Sequence, residues 1–193
     1  VHWVAPDAAH RHDLASMRAA LSDDTRLVYV CNPNNPSGTI TPRKDIEYLL
    51  ANKKKDAVVV VDEAYIHFSD TAQPCNDLVA ADKDVVVLRT FSKVYGMAGI
   101  RAGFALGRPD LLAKLRPFGG GMLPITGLAC ATASLRAKGL VPERRTINKR
   151  VREDVFSFLE KKKIQYVPSE TNFFMMEVGR PGDELSSTEL RAL

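Results

Sequence analysis

The chain has 193 residues, and 27 Lys and Arg against 23 Asp and Glu give it a formal net charge of +4. Its 45% apolar and 26% charged residues are typical of a folded globular protein and exclude an intrinsically disordered chain. The longest apolar runs fall well short of about 18 residues, which excludes a membrane-spanning helix.

The first half of the chain alternates predicted strands with predicted helices. Apolar, β-branched runs predict strands at 27–31, 58–61 and 85–88. A helical pattern begins at Pro42, with Thr41 as its expected N-cap. Because the strand runs do not alternate apolar with polar residues, we expect both faces of the sheet to be covered. The order of elements predicts an α/β layered domain with a mostly parallel sheet.

The pattern changes after about residue 118, where three glycines at 119–121 predict a flexible joint. Further predicted elements are strands at 100–106, 164–167 and 172–178, helices at 109–115, 128–135 and 143–163, and a helix that starts near Ser186 or Ser187. The long helix carries apolar residues at helical spacing, which predicts a face that packs on a core: Ile147, Val151, Val155, Phe158 and Leu159. A smaller second unit is therefore expected from a boundary near residues 136–145.

The cysteines and the lysine runs have simple interpretations. Cys31, Cys75 and Cys130 are far apart and odd in number, which favours reduced thiols in a reducing compartment, hence the cytoplasm. The lysine runs at 53–55 and 161–163 follow helical patterns, so we predict solvated helix ends and not a nucleic-acid surface.

Polar clusters follow three successive predicted strands. They are Asn34-Asn35, the run from Asp62 to Tyr65, and Ser92-Lys93. In open α/β sheets, ligands bind outside the carboxyl ends of the strands. The three clusters therefore predict one shared binding site.

Each of these residues also has an ordinary explanation when taken alone. Asn35 is typical of a turn, Asp62 of a helix N-cap, and Lys93 of a solvated surface. Their joint occurrence is what favours a site. By contrast, we predict a structural role for Glu63 and a hydrogen-bonded loop position for His67.

The histidines near the start of the chain do not predict a metal centre. His10 and His12 alternate along the sequence, but a third ligand at suitable spacing is missing from this pattern. We therefore expect no metal.

Three motifs together resemble a known fingerprint. These are N-P-N-N-P-S-G at 32–38, V-D-E-A-Y at 61–65 and T-F-S-K-x7-R at 90–101, and the resemblance spans about 26–177. In this order and spacing they resemble pyridoxal-phosphate enzymes of the aspartate aminotransferase fold, most closely the histidinol-phosphate aminotransferases. The resemblance implies a three-layer large domain with a mostly parallel sheet, present in part at 1–138, and the start of a smaller α+β domain at 139–193.

The resemblance also implies roles around the cofactor ring. Lys93 would form the Schiff base with the aldehyde of pyridoxal 5'-phosphate and later move a proton. Asp62 would pair with the pyridine nitrogen and keep it protonated, so that the ring accepts electrons. Tyr65 and Asn35 would hydrogen-bond the phenolic oxygen.

The resemblance implies further roles at the cofactor phosphate and at the substrate. Arg101 would bind the cofactor phosphate, with hydroxyls from Ser92 and Thr90. Asn172 would lie near the substrate tail. The family's other phosphate loop, a tyrosine from across a dimer interface and a substrate-binding arginine would come from segments outside this chain, which we therefore expect to be a fragment.

The function that the resemblance implies is amino-group transfer from L-histidinol phosphate to 2-oxoglutarate by a homodimer, with neither nucleic acid nor membrane as partner. Related alternatives are an aminotransferase for aromatic or similar amino acids and a decarboxylase acting on a threonine phosphate. An alternative of another class is a cofactor-sensing domain of a regulator.

Overall fold

The computed structural model describes residues 1–119 and 121–178, in which four strands form one sheet in the order β1-β2-β3-β4. The strands are β1 (Leu27–Cys31), β2 (Val58–Asp62), β3 (Val85–Thr90) and β4 (Gly103–Gly107). The helices are α1 (Leu14–Ala19), α2 (Arg43–Asn52), α3 (Asn76–Ala80), α4 (Pro109–Leu115), α5 (Ile125–Arg136) and α6 (Leu140–Lys162). β1, β2 and β3 are parallel, while β4 is antiparallel to β3, which confirms the predicted α/β class with a mostly parallel sheet.

One face of the sheet carries the main hydrophobic core. Its buried residues come from the three valine-rich strands and from α2 and α3: Val28, Val30, Val59, Val61, Val85, Val87, Ile46, Leu49, Cys75 and Leu78. On the other face of β1, Leu27 is 57% exposed and Tyr29 is 49% exposed. The expectation that both faces are covered is therefore wrong for β1 within the described residues. Valine and tyrosine favour strands whether or not both faces are buried, so the unbroken apolar runs did not reveal this difference.

The start of α2 differs by one residue from the prediction. Pro42, not Thr41, is the N-cap, and the helix begins at Arg43. Thr41 is held instead by Asn32, whose side chain accepts from the Thr41 N–H at 2.9 Å and donates to the Thr41 carbonyl at 3.0 Å. The predicted helix-end positions of the lysines are confirmed, since Lys53 is the C-cap of α2 and Lys161 and Lys162 lie in the last turn of α6. The prediction that these lysines are solvated is wrong for Lys53, whose side chain is 5% exposed and whose Nζ lies 2.8 Å from Asp84 Oδ2.

Several predicted elements near the second half of the chain are shorter or shifted. The strand predicted at 100–106 is β4, and it is preceded by a 3₁₀ turn at 98–100 and by Arg101 in the left-handed region, with φ 56°. The strands predicted at 164–167 and 172–178 reduce to one antiparallel bridge between Tyr166 and Met176. Gly120 of the expected joint, the helix near residue 186 and the rest of 179–193 lie outside the described residues.

The long helix α6 contacts the rest of the described chain partly through polar side chains. Arg145 donates to the His67 carbonyl at 2.8 Å, while Asn148 and Arg152 donate to the Thr171 carbonyl at 3.1 and 3.0 Å. The predicted core face is therefore only partly correct: Leu159 is buried, Val155 is half-buried, and Ile147, Val151 and Phe158 are exposed. Helical periodicity identifies an apolar stripe but not the surface that covers it.

All three cysteines are free, with Cys31 and Cys75 buried and Cys130 half-buried, which agrees with the prediction of reduced thiols. Within residues 1–119 and 121–178, the structure contains no helix that combines the length and the apolar character needed to cross a bilayer. The predicted division into 1–138 and 139–193 stays a prediction.

Candidate active site

The carboxyl ends of the parallel strands meet at one edge of the sheet, as the sequence predicted. Cys31 at the end of β1 pairs with Asp62 at the end of β2. Because β4 runs in the opposite direction, it begins at this edge, where Thr90 pairs with Gly103. The antiparallel direction of β4 therefore brings Arg101, two residues before the strand, to the same edge as the other predicted site residues.

Asn35, Tyr65 and Lys93 form the centre of the candidate site. Asn35 Nδ2 donates to the Tyr65 hydroxyl at 3.1 Å, and Lys93 Nζ lies 5.0 Å from the centroid of the Tyr65 ring. Tyr65 is buried, whereas Asn35 and Lys93 are exposed. Phe173 packs edge-on against Tyr65 with 4.8 Å between ring centroids. A fixed phenol and amide thus stand beside an accessible amine.

Asp62 is held by two hydrogen bonds, one on each carboxylate oxygen. The Ala64 N–H donates to Oδ1 at 3.0 Å, and the Tyr29 hydroxyl donates to Oδ2 at 2.7 Å. Burial, followed by the bond to Asp62, raises the pKa of Tyr29. Sequence reasoning missed Tyr29. Tyr29 lies two residues before Cys31 in β1, so the two share a face of the sheet, and Cys31 is the residue that pairs with Asp62.

Thr90, Ser92 and Arg101 lie around the end of β3. The Ser92 N–H donates to Thr90 Oγ1 at 3.0 Å, which fixes the turn that carries both hydroxyls. Arg101 is exposed and donates to the Ala98 carbonyl at 2.9 Å. Two hydroxyls and a guanidinium at one loop form a donor set suited to an anionic group.

The turn that carries Asn35 is fixed by its neighbours. Asn34 Nδ2 donates to Ser37 Oγ at 2.7 Å, and the Gly38 N–H donates to the Asn34 carbonyl at 2.8 Å. Gly38 has φ +74°, and a Cβ at this position would lie 2.0 Å from Ser169 Oγ. Only glycine therefore allows both this turn and the close approach of Ser169.

A buried ion pair lies next to the site. Glu63 is 1% exposed, its Oε2 lies 2.5 Å from Arg89 Nη2, and its Oε1 accepts from the Cys75 N–H at 2.6 Å. Burial raises the pKa of Glu63, while Arg89 and the Cys75 N–H act in the opposite direction. These contacts agree with the structural role predicted for Glu63. Arg89, which sequence reasoning missed, supplies the charge that makes this burial tolerable.

His67 is a hydrogen-bonded residue, as predicted. Its Nε2 lies 3.2 Å from Arg89 Nη1, and because arginine only donates, the imidazole nitrogen must accept. Burial and then the charges of Arg89 and Arg145 lower the pKa of His67 to about 4. His67 is therefore neutral at pH 7.

Asn172 lies in a segment that contacts the candidate site through the next residue, Phe173. Its own side chain is exposed, whereas Phe173 contacts Tyr65. The segment is attached by Glu170, whose carboxylate accepts from the hydroxyls of Ser69 and Thr71 and from two backbone N–H groups of the same loop. The structure thus fixes the backbone around Asn172, and the predicted role of its side chain stays a prediction.

Comparison with known proteins gives consistent matches. The family model for "Aminotransferase class I and II" matches residues 2–192. The chain is 36% identical over 187 residues to histidinol-phosphate aminotransferase of Moorella thermoacetica, covering 93% of this chain and 48% of that protein. It is 40% identical over 185 residues to aromatic amino acid aminotransferase of Cutibacterium acnes, covering 91% of this chain and 51% of that protein.

A solved structure supports the same similarity. The crystal structure of histidinol-phosphate aminotransferase from Sinorhizobium meliloti in complex with pyridoxal-5'-phosphate superimposes with a TM-score of 0.82 at 29% identity. The match covers 93% of this chain and 49% of that one. The chain thus spans about half the length of the relatives that it matches.

Proposed function

Since the chain belongs to the class I and II aminotransferase family, whose members depend on pyridoxal phosphate, we propose that the whole protein transfers an amino group from an amino donor to a 2-oxo acid. The observation that carries the proposal is the exposed amine of Lys93 beside the hydrogen-bonded pair of Tyr65 and Asn35. The same sheet edge holds the oriented carboxylate of Asp62.

The donors and acceptors at this edge fit the chemistry of pyridoxal 5'-phosphate. An amine suits its aldehyde, a carboxylate suits its ring nitrogen, and a phenol with an amide suits its phenolic oxygen. A guanidinium and two hydroxyls suit its phosphate. When bound, the cofactor supplies an electron sink that stabilises negative charge at the carbon next to the donor's amine.

We assign the ring-facing roles to four side chains. Lys93 Nζ would hold the cofactor through its aldehyde carbon and, once released by the amino donor, would move a proton at the substrate carbon. Asp62 would keep a proton on the ring nitrogen. The Tyr65 hydroxyl, held by Asn35, would donate to the phenolic oxygen.

The phosphate-facing roles go to the turn after β3 and to the residue before β4. Arg101 would bind the phosphate with both arms of its guanidinium, and Ser92 and Thr90 would add hydroxyl donors. Arg101 is exposed and donates to a backbone carbonyl, so its guanidinium can reorient toward an anion.

For the substrates, we propose L-histidinol phosphate as amino donor and 2-oxoglutarate as acceptor. The names of the Moorella thermoacetica and Sinorhizobium meliloti relatives support this choice. Aromatic amino acids are a second candidate class, because the Cutibacterium acnes relative is 40% identical to this chain. Asn172 would lie near the tail of the donor. We also propose a homodimer in the cytoplasm.

The ranking of donors is tested by assaying the whole protein with 2-oxoglutarate and equal concentrations of L-histidinol phosphate, L-phenylalanine and O-phospho-L-threonine. We expect the highest kcat/KM for L-histidinol phosphate. Transfer from phenylalanine with none from histidinol phosphate would reverse the ranking. Release of carbon dioxide from phosphothreonine would identify a decarboxylase.

The site itself is tested by borohydride reduction of the whole protein after incubation with pyridoxal phosphate, followed by mapping of the peptides by mass spectrometry. We expect a pyridoxyl group on Lys93 and its loss in Lys93→Ala. Lys114→Ala, which removes an exposed lysine of α4, is the matched control and should keep the modification. A pyridoxyl group on another lysine, or none in folded protein, would contradict the assignment.

A further inference from the structure

Tyr29 makes a contact that the proposed roles do not use. We infer that Tyr29 is a positioning residue, which orients the Asp62 carboxylate toward the ring nitrogen of the cofactor. The inference rests on the proposed function, because it concerns the group that Asp62 would bind. The Tyr29 hydroxyl donates to Asp62 Oδ2 at 2.7 Å, which is a well-formed O–H···O hydrogen bond.

The register of the sheet explains how this contact forms. Tyr29 pairs with Val60 and Cys31 pairs with Asp62. Tyr29 therefore lies on the same face as Asp62, offset from it by two residues toward the start of the strands. The long phenol side chain extends along the strand direction and spans that offset. A shorter polar side chain at this position would fall short of the carboxylate.

Two donors from different elements fix the plane of the carboxylate. The Ala64 N–H holds Oδ1 from the loop after β2, and Tyr29 holds Oδ2 from β1. Each carboxylate oxygen can accept more than one hydrogen bond, so a further N–H can still bind. An acceptor that is oriented before its partner arrives loses less conformational entropy on binding.

Burial alone does not account for this hydrogen bond. Tyr29 is half exposed, so complete burial of its side chain does not force this contact. Burial and the bond to Asp62 raise the pKa of Tyr29, so the phenol keeps its proton and remains a donor at neutral pH.

The test compares pyridoxal phosphate with its analogue in which a C–H group replaces the ring nitrogen. Both dissociation constants are measured by equilibrium binding to the whole protein, as wild type and as Tyr29→Phe. Tyr166→Phe is the matched control, because it removes another tyrosine hydroxyl that donates to a carboxylate, that of Glu160 at 2.8 Å, outside the site.

We expect Tyr29→Phe to weaken binding of pyridoxal phosphate by about 5- to 10-fold, the scale of one ordinary hydrogen bond, because Tyr29 acts on the cofactor only through Asp62. Binding of the analogue should change by less than about 2-fold, because the analogue presents no ring nitrogen to Asp62. Tyr166→Phe should leave both dissociation constants unchanged. The diagnostic quantity is therefore the ratio of the dissociation constant of pyridoxal phosphate to that of the analogue, compared between Tyr29→Phe and wild type.

The outcomes separate this inference from the proposed function. If Tyr29→Phe weakens both ligands equally, or neither, the positioning role is overturned while the proposed function stands. If folded wild-type protein binds neither ligand, the proposed function fails and the inference fails with it. Far-UV circular dichroism of each variant shows whether it is folded, and the second variant Tyr29→Leu, which also lacks the hydroxyl, should give the same ratio.

Discussion

Replacing Asp62 with alanine is expected to lower kcat of the whole protein by about 100- to 1,000-fold while leaving Lys93 able to carry the cofactor. The reason is electrostatic: the carboxylate would hold a proton on the ring nitrogen, and loss of one preoriented charged group typically costs this much. Lys93 lies in the loop after β3, whereas Asp62 is the last residue of β2, so the reaction of Lys93 with the aldehyde does not require Asp62.

Two measurements check this expectation on the same protein. Single-turnover kinetics with the amino donor should show the loss in rate, and borohydride reduction should still label Lys93. Asp62→Asn keeps the shape but removes the charge, and we expect it to be nearly as slow as Asp62→Ala. Asp154→Ala, on the exposed side of α6, is the control for loss of a carboxylate. Wild-type turnover in Asp62→Ala would contradict the role of this residue.

The second large effect concerns stability and the pair formed by Glu63 and Arg89. Arg89→Ala is expected to lower the free energy of unfolding by about 3–5 kcal/mol, because it leaves a buried carboxylate without its opposite charge. Glu63 is 1% exposed, so water does not replace the lost partner. The same change removes the donors that Arg89 presents to His67 and Asn76.

Urea unfolding of the wild-type and variant whole proteins measures this effect. A matched control is Arg43→Ala, which removes ion pairs with the exposed carboxylates of Asp77 and Glu47 and a hydrogen bond to the Pro74 carbonyl. It should cost less than Arg89→Ala, because both carboxylates that it leaves unpaired are solvated. The double variant Glu63→Gln with Arg89→Met should be more stable than Arg89→Ala, since it leaves no unpaired charge. Equal losses of unfolding free energy in Arg89→Ala and Arg43→Ala would show that the buried pair does not contribute the expected stability.

Local sequence patterns predicted the strands and helix starts that depend on short stretches of neighbouring residues. The valine-rich runs predicted β1, β2 and β3 within one or two residues, and Pro109 marked the start of α4. The motifs also predicted which polar side chains meet at one edge, because parallel strands bring their carboxyl ends together. These features depend on a few neighbouring residues and on one rule of topology.

Features that depend on distant partners were not predicted. The contact of Tyr29 with Asp62 requires the register of β1 against β2, and the partner of Glu63 comes from β3. The exposed apolar side of α6 shows the same limit, because a helical pattern does not reveal which side meets the rest of the chain. Register and docking direction arise only when the elements pack.

The direction of β4 has a consequence for the evolution of the site. Lys93 and Arg101 are separated by a loop that leaves β3 and returns as β4, and its turn is fixed where the Gly96 N–H donates to the Lys93 carbonyl at 2.9 Å. Residues added to or removed from this loop would change the distance between amine and guanidinium without disturbing any strand pair. The length of this loop thus determines how far the Lys93 amine lies from the Arg101 guanidinium, and it can change while β3 and β4 stay paired.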